Sequence, residues 1–298
     1  MADLTAEEEL RRRASSAALG RAELHGLVWL DGSLLDAAAA TISVFDHGLT
    51  VGDGVFETLK AIDGHPFAIR RHLERLRRSA FMLDLRVPFT DEELRVAMAE
   101  VLASHDLPRA RVRVTVTGGA APLGSERGEA IATVVVAVGP LHEMPSSAGV
   151  CVVPWPRNER GALAGIKSTS YAENVKALAH ARAQGCTEAI FATTTDLVCE
   201  GTGSNVFVGI GGRLLTPPLS SGCLAGVTRA LVLEVTDAIE EDIPMSAFRT
   251  ADEVFLTSTG RDVQPVDRVD DRDLPVPRPM TETAARAFQT LVASTDDP

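Results

Sequence analysis

Short runs of β-branched and other apolar residues, some alternating with polar residues, recur through the first half of the chain. Runs of this kind are typical of β-strands that pack on a core. The dipeptide Asp63-Gly64 separates two of the runs, and Asp-Gly in such a place predicts a hairpin turn. The strands predicted in this half are Leu27–Leu30, Ala40–Phe45, Val55–Ala61, Pro66–Ile69, Arg111–Thr117 and Ile131–Val138.

The spacing of apolar residues changes after the fourth of these strands, where it predicts two helices. A helix from Asp91 to about Ser104 is indicated by Thr90, which would cap it, and by Glu93, which stands three residues later in capping-box spacing. The other helix is amphipathic, because one stripe at i, i+3, i+7 and i+10 is apolar. That stripe consists of Leu73, Leu76, Ala80 and Leu83.

Residues 139–149 are rich in proline, glycine and serine, which is typical of a connector. We therefore predict an α+β fold of two domains: an N-terminal extension at 1–24 without an assigned role, a small domain at 25–138, the linker at 139–149 and a large domain at 150–298. Residues 294–298 are expected to be loose. Strands are predicted in the large domain at Val150–Pro154, Glu188–Thr193, Asn205–Ile210, Arg213–Thr216 and Glu253–Thr259. Its predicted helices are Val175–Gln184, Val227–Glu240 and Thr281–Val292.

The composition is that of an ordinary globular protein, with 45% hydrophobic and 23% charged residues among 298. A net charge of −12 argues against nucleic acid as a partner. No apolar run is long enough to cross a bilayer, and residues 1–20 lack the order of a secretory signal, so we expect a cytoplasmic protein that does not bind membranes. The four cysteines include no Cys-x-x-Cys pair, so we expect reduced thiols and no metal site.

Lys167 is the first candidate for chemistry, because only three of the 29 basic residues are lysines. A lysine can lose its proton and act as an amine nucleophile, which arginine cannot do. The only tyrosine of the chain, Tyr171, stands four residues later. The alternative interpretation is a solvated surface lysine.

Glu200 is the second candidate, because it lies between Cys199 and a Gly-Thr-Gly segment with apolar strand residues on both sides. A carboxylate in such a place is expected to be partly buried and to need a partner. A protonated ring nitrogen of a cofactor would serve as that partner. The alternative is a structural ion pair with an arginine.

A loop of small residues, Ser221 to Gly226, leads into the helix predicted at Val227. Backbone N–H groups at a helix start, together with the hydroxyl of Thr228, could bind a phosphate group. An ordinary helix cap is the alternative interpretation.

Three arginines are candidates for binding anions. Arg75 borders the stripe of the amphipathic helix, and Arg111 and Arg113 lie two residues apart on one strand, so they share a face. Two arginines that face a cleft could bind a carboxylate, whereas the alternative is that both face solvent.

Taken together, these segments resemble the class IV, or fold type IV, pyridoxal phosphate enzymes, over roughly residues 27 to 292. That family contains D-amino acid aminotransferases, branched-chain aminotransferases and aminodeoxychorismate lyases. The motifs that carry the resemblance are Ser43-Val44-Phe45-Asp46-His47-Gly48, Gly52-Asp53-Gly54-Val55-Phe56-Glu57, His72-Leu73-Glu74-Arg75-Leu76, Ile166-Lys167, Glu200-Gly201-Thr202-Gly203-Ser204-Asn205-Val206-Phe207, Leu215-Thr216-Pro217-Pro218 and Ala225-Gly226-Val227-Thr228-Arg229.

The resemblance implies a role for each candidate. Lys167 is similar to the lysine that holds the cofactor as a Schiff base and carries the substrate's proton, and Glu200 to the carboxylate on the pyridine nitrogen. Tyr171 resembles a tyrosine near the phenolic oxygen of the cofactor. The groups implied at the cofactor's phosphate are Arg75, Val227, Thr228 and Thr259, and Gly226 and Ser258 are implied to bind the cofactor as well. The resemblance also implies a cofactor in the cleft between two domains, and a homodimer.

The substrate is less closely defined. Phe56, Arg111 and Arg113 are implied to bind it, and Arg113 is similar in position to the arginine that binds the α-carboxylate in branched-chain enzymes, but the chain departs from the pattern of each subfamily. We expect a transaminase that acts on amino acids, preferably D-amino acids, with 2-oxoglutarate or pyruvate as acceptor. The alternatives are 4-amino-4-deoxychorismate lyase and then a branched-chain L-amino acid aminotransferase. A binding module that retains the fold without activity is an alternative of another class.

Overall fold

The computed structural model describes residues 26–298, so the extension predicted at 1–24 lies outside the described residues. Within residues 26–298 the strands form two sheets, one on each side of the connector. This arrangement confirms the predicted mixed α+β fold. The first sheet ends with a strand that reaches Pro140, and the second begins at Ala148. The domain limits given above stay a prediction, although the strands divide at this point.

The first sheet has six strands, all paired antiparallel, in the order β2-β1-β6-β5-β3-β4. The long pair at its centre, β3 with β5, buries alternate apolar residues against two helices, as the period of a strand requires. The strands are β1 (Leu27–Leu30), β2 (Ser33–Asp36), β3 (Gly54–Ile62), β4 (His65–Pro66), β5 (Arg109–Thr117) and β6 (Val134–Pro140). The helices are α1 (His47–Thr50), α2 (Ile69–Met82) and α3 (Asp91–Ala103).

Both long helices of this half were predicted, and the structure confirms them. Leu73, Leu76 and Ala80 of α2 are buried in the core, as the apolar stripe requires. Helix α3 begins with the predicted capping box, in which the hydroxyl of Thr90 accepts from the backbone of Glu93 and the carboxylate of Glu93 accepts from the backbone of Thr90.

The second sheet has nine strands of mixed direction, in the order β12-β11-β10-β13-β14-β7-β8-β9, with β15 paired to β14. Its strands are β7 (Ala148–Val152), β8 (Glu188–Ala192), β9 (Val198–Gly201), β10 (Asn205–Ile210), β11 (Arg213–Thr216), β12 (Ile239–Glu240), β13 (Glu253–Ser258), β14 (Asp262–Val269) and β15 (Arg272–Asp273). Its helices are α4 (Ala172–Ala183), α5 (Val227–Val235) and α6 (Pro279–Ser294), with two 3₁₀ turns at Leu219–Ser221 and Met245–Arg249.

Some predictions about regular structure are wrong. The stretch Ala40–Phe45 is not a strand, because β2 already completes the hairpin with β1 and the side chains of Ile42 and Val44 are exposed. The helix predicted from Val227 to Glu240 ends at Val235, and the chain then forms the short strand β12. Strands β9 and β14 were not predicted, since polar residues interrupt both of them.

The expectation that residues 294–298 would be loose is a further error of this kind. Helix α6 extends to Ser294, and the residues after it hydrogen-bond to the start of α2. The oxygen atoms of this polar segment accept hydrogen bonds from backbone N–H groups that are open at the start of α2. The spacing of apolar residues along the sequence does not reveal such contacts.

The expectation of four reduced thiols is also wrong, because Cys151 of β7 and Cys186 form a disulfide across 35 residues. Sequence spacing did not reveal the pairing, since β7 and β8 become neighbours only in the sheet. Cys199 and Cys223 are free and buried. Within residues 26–298, none of the helices combines the length and the apolar character needed to cross a membrane.

Candidate active site

A cavity of about 690 Å³ opens between the two sheets. Every residue that the sequence singled out for cofactor or substrate contributes to its wall. These residues are Phe56, Arg75, Arg111, Arg113, Lys167, Tyr171, Glu200, Gly226, Val227, Thr228, Ser258 and Thr259. Residues from both halves of the chain therefore meet in one place, although their individual roles stay predictions.

The backbone of Lys167 is fixed to the first sheet. Its carbonyl oxygen accepts from the N–H of Phe56 at 3.0 Å, and the neighbouring Ser168 forms an antiparallel bridge with Val55. The amine Nζ then lies 4.4 Å from the centre of the Phe56 ring, inside the cavity. The part of the chain that carries the second sheet thus supplies the lysine, and strand β3 of the first sheet positions it.

Burial lowers the pKa of the Lys167 amine to about 8, with the positive charge of Arg75 acting in the same direction. The carboxylates of Glu57 and Glu200 raise it and limit the shift. A larger fraction of the amine is therefore neutral near neutral pH than in a solvated lysine, and only the neutral amine is a nucleophile.

This pKa predicts how the protein would react with pyridoxal phosphate, the cofactor that the resemblance implies. The rate of covalent capture, followed by absorbance, should rise as the pH increases to about 8 and should level off above it, because the amine is then fully neutral. A solvated lysine would give a rate that still rises at pH 9 to 10, since its ordinary pKa is 10.5. A rate that keeps rising in that range would contradict the lowered pKa.

Glu200 lies on β9 and is 8% exposed. Its Oε2 accepts from the N–H of Leu224 at 2.9 Å, and its Oε1 lies 3.7 Å from a guanidinium nitrogen of Arg157. Burial raises the pKa of the Glu200 carboxyl, which Arg157 opposes. An acid in this environment gains from a protonated partner on its open side, which faces the cavity.

Arg157 was not identified from the sequence. Its guanidinium stacks 4.3 Å from the centre of the Phe191 ring and donates to the side-chain oxygen of Asn174 at 2.9 Å. These contacts fix it beside Glu200 without saturating the carboxylate. An arginine in an irregular stretch after Trp155-Pro156 carries no periodic signal, so sequence patterning could not place it.

Arg75 projects from α2 into a buried ion pair. Its Nε and one terminal nitrogen donate to the two oxygens of Glu57, both at 2.7 Å, and the other terminal nitrogen donates to the carbonyl of Ala225 at 3.0 Å. His72 binds the same carboxylate at 2.7 Å. A guanidinium has five N–H donors, so two remain for an anion in the cavity.

Glu57 and His72 stand in the motifs that carry the resemblance, but no role was predicted for either of them. Burial raises the pKa of the Glu57 carboxyl, but Arg75 and His72 outweigh it and hold that pKa well below its ordinary value. A glutamate at an inward position of an otherwise apolar strand was the available signal, because an unpaired acid there would be costly.

The start of α5 forms the end of the cavity next to Arg75. Gly226 is the N-cap residue and supplies no side-chain cap, so the first N–H groups of the helix remain open. A Cβ at Gly226 would collide with the side-chain oxygen of Asn205, which explains the need for glycine. The buried hydroxyl of Thr257 also lines the cavity and has no partner among the described residues.

These groups fit pyridoxal phosphate. Arg75 and the open helix start offer donors to a phosphate, Glu200 offers an acceptor for a ring nitrogen, and Lys167 offers an amine between them. The hydroxyl of Thr259 donates to the carbonyl of Thr58 at 3.0 Å, so it also ties this end of the cavity to β3.

A further part of the cavity wall is formed by β5 and by two aromatic rings. The guanidinium of Arg113 lies 3.7 Å from the centre of the Phe56 ring, and Tyr171 meets the same ring edge-on at 5.3 Å. Arg111 lines the cavity two residues before Arg113, on the same face of the strand. The two arginines therefore face the cavity rather than solvent alone.

The sequence matches the family model of amino-transferase class IV over residues 54–269. A putative branched-chain-amino-acid aminotransferase of Methanocaldococcus jannaschii is 34% identical over 254 residues, which are 82% of this chain and 88% of that protein. A D-alanine aminotransferase of Staphylococcus haemolyticus is 30% identical over 259 residues, which are 82% of this chain and 89% of that protein. The solved branched-chain aminotransferase of the archaeon Thermoproteus uzoniensis with norvaline has a TM-score of 0.85 and 31% identity, over 89% of this chain and 94% of that chain.

Proposed function

The chain belongs to the class IV aminotransferases, which use pyridoxal phosphate, and we propose that it transfers the amino group of a D-amino acid to 2-oxoglutarate or pyruvate. The observation that carries this proposal is the pair Arg111 and Arg113, which face the cavity together. The two half-reactions of a transaminase follow each other in the same cavity. The amino acid that gives the amino group and the 2-oxo acid that receives it are therefore bound by the same residues.

The residues of the chain divide the work as follows. Bound pyridoxal phosphate supplies an electron sink for the α-carbon of the substrate. The neutral amine of Lys167 would hold the cofactor covalently, and once the substrate's amino group has displaced it, the free Nζ would accept the proton that leaves the substrate α-carbon. Glu200 would hold the ring nitrogen in its protonated form, and Arg75 with the start of α5 would orient the phosphate. Tyr171 and Phe56 would form the wall beside the amine.

The two arginines favour substrates with carboxylates. Arg113 lies against Phe56, the ring that also contacts Lys167, and this position supports a role in binding the α-carboxylate. Arg111 lies two residues away, about 7 Å along an extended strand. This spacing suits the second carboxylate of a five-carbon dicarboxylate such as 2-oxoglutarate. A donor with a small side chain, such as D-alanine, needs no apolar pocket beside these charges.

The test is a half-reaction screen on the holoenzyme with single amino acids. D-alanine and D-glutamate should each remove the visible absorbance band of the lysine-bound cofactor, and L-leucine should leave it. In Arg111→Gln, the KM for 2-oxoglutarate should rise about tenfold more than that for pyruvate, because only 2-oxoglutarate loses a charged hydrogen bond. Equal effects on both acceptors would contradict the role given to Arg111.

A second candidate is a branched-chain L-amino acid aminotransferase. It is favoured by the 34% identity to the putative branched-chain enzyme of Methanocaldococcus jannaschii. In the same screen, this function would remove the band with L-leucine and not with D-alanine. That outcome would overturn the proposed preference for D-amino acids.

We also propose that the enzyme is a homodimer. The segment between β2 and β3 exposes a run of large apolar side chains, which is unusual on the surface of a monomer. These are Ile42, Val44, Phe45, Leu49 and Val51. A second copy of the chain is the partner proposed for this surface, and the mass of the assembly in solution tests it.

A further inference from the structure

Residues 295–298, which we call the tail, lie against the first turn of helix α2. The backbone carbonyl of Asp296 accepts from the N–H of Ala68 at 2.6 Å. The carboxylate of Asp297 accepts from the N–H of Arg70 at 3.0 Å, across 227 positions of sequence. The tail thus binds two of the backbone donors that a helix leaves open at its start.

Helix α2 has no cap of its own. Its N-cap residue is Ala68, which adopts a left-handed conformation with φ of 55° and offers no side-chain hydrogen bond. The first turn has no acidic residue and instead carries Arg70 and Arg71, whose charges are unfavourable at the positive end of the helix dipole. Acceptors and negative charge must therefore come from elsewhere.

The tail also binds the side chains of these arginines. Arg70 and Arg71 both donate to the carbonyl oxygen of Pro298, at 3.0 and 2.8 Å. Arg71 in addition makes a bidentate pair with Glu234 of α5, at 2.7 and 2.8 Å. The first turn of α2 is thereby joined to the helix whose start forms the phosphate end of the cavity.

The position of this turn matters because Arg75 follows it on the same helix, five residues after Arg70. Helix α2 rises by about 1.5 Å for each residue, so a shift or fraying of its first turn reaches Arg75 directly. His72, which shares the carboxylate of Glu57 with Arg75, lies between the tail contacts and the cavity.

We propose that Asp297 is a positioning residue for Arg75: it caps α2 from outside the helix and so holds the arginine within reach of the cofactor's phosphate. This inference rests on the proposed role of Arg75 in the aminotransferase. Asp297 itself touches neither cofactor nor substrate, so its effect passes through the helix.

Amide hydrogen exchange on the apoenzyme tests the cap, and a titration of the apoenzyme with pyridoxal phosphate tests its link to Arg75. In Asp297→Ala, the amides of residues 69–72 should exchange about fivefold faster, and the Kd for pyridoxal phosphate should rise by about the same factor, as the loss of one helix cap predicts. Deletion of residues 296–298 should give larger changes of both kinds. Asp297→Asn keeps an acceptor oxygen and should restore most of the wild-type behaviour.

Asp271→Ala is the matched control, because Asp271 is an exposed acid whose side chain makes no hydrogen bond or ion pair with residues 26–298. Exchange in Asp297→Ala equal to that of the control would overturn the cap. Faster exchange with an unchanged Kd would overturn the link to Arg75. If the unmodified protein bound no pyridoxal phosphate, the control variant would share that defect, and the proposed function itself would be contradicted.

Discussion

Replacing Lys167 by alanine is expected to lower the rate of transamination by about 10⁴-fold, because covalent attachment and proton transfer both use the same amine. The visible absorbance band of the lysine-bound cofactor should disappear in the variant. Borohydride, which fixes the cofactor covalently to the wild-type chain, should label Lys167 there and leave the variant unlabelled. Absorbance and mass spectrometry of the intact protein measure these effects.

Lys176→Ala is the matched control for this prediction. Lys176 lies on α4, and its amine stands 5.3 Å from the centre of the Trp155 ring. It is absent from the cavity wall, so its loss should change neither the band nor the rate. Labelling of Lys176 by borohydride in the Lys167→Ala protein would show that the cofactor can use another amine.

The second large effect concerns stability. Glu57→Ala should lower the free energy of unfolding by about 3 to 5 kcal/mol, because it leaves Arg75 charged and unpaired in a buried site. Urea denaturation of the apoenzyme measures this, without any contribution from bound cofactor. The affinity for pyridoxal phosphate should fall as well, since Arg75 loses the two contacts that orient it.

Glu100→Ala provides the comparison for Glu57. The side chain of Glu100, an exposed residue of α3, makes no hydrogen bond or ion pair with residues 26–298, so its removal should cost less than about 0.5 kcal/mol. Similar losses in the two variants would mean that the buried pair contributes no more than a surface acid, and the structural argument would be wrong.

Much of the fold could be predicted because periodic signals decide it. The stripe on α2, the capping box of α3 and the hairpin at Asp63-Gly64 each depend on residues close in sequence. Ala40–Phe45 shows the limit of this reasoning. Its apolar residues suggested a strand, yet Ile42 and Val44 face outward from the described chain, and local pattern alone cannot distinguish a core strand from an exposed apolar surface.

The main residues of the site could also be predicted from the sequence. Lys167, Glu200 and Arg75 stand in motifs that resemble a family, and the structure brings them to one cavity. The motifs do not show which residues support these three, although Glu57 and His72 stand in two of them. Arg157, His72 and Glu57 act through contacts with residues far away in the chain, and only the packed structure shows which charge meets which.

The attachment of Lys167 to strand β3 constrains how the enzyme can open. The N–H of Phe56 holds the carbonyl of Lys167, and the hydroxyl of Thr259 holds the carbonyl of Thr58 two residues farther along the same strand. Separating the two halves along β3 would break both contacts. A relative movement of the halves that preserves both contacts must therefore turn about this strand.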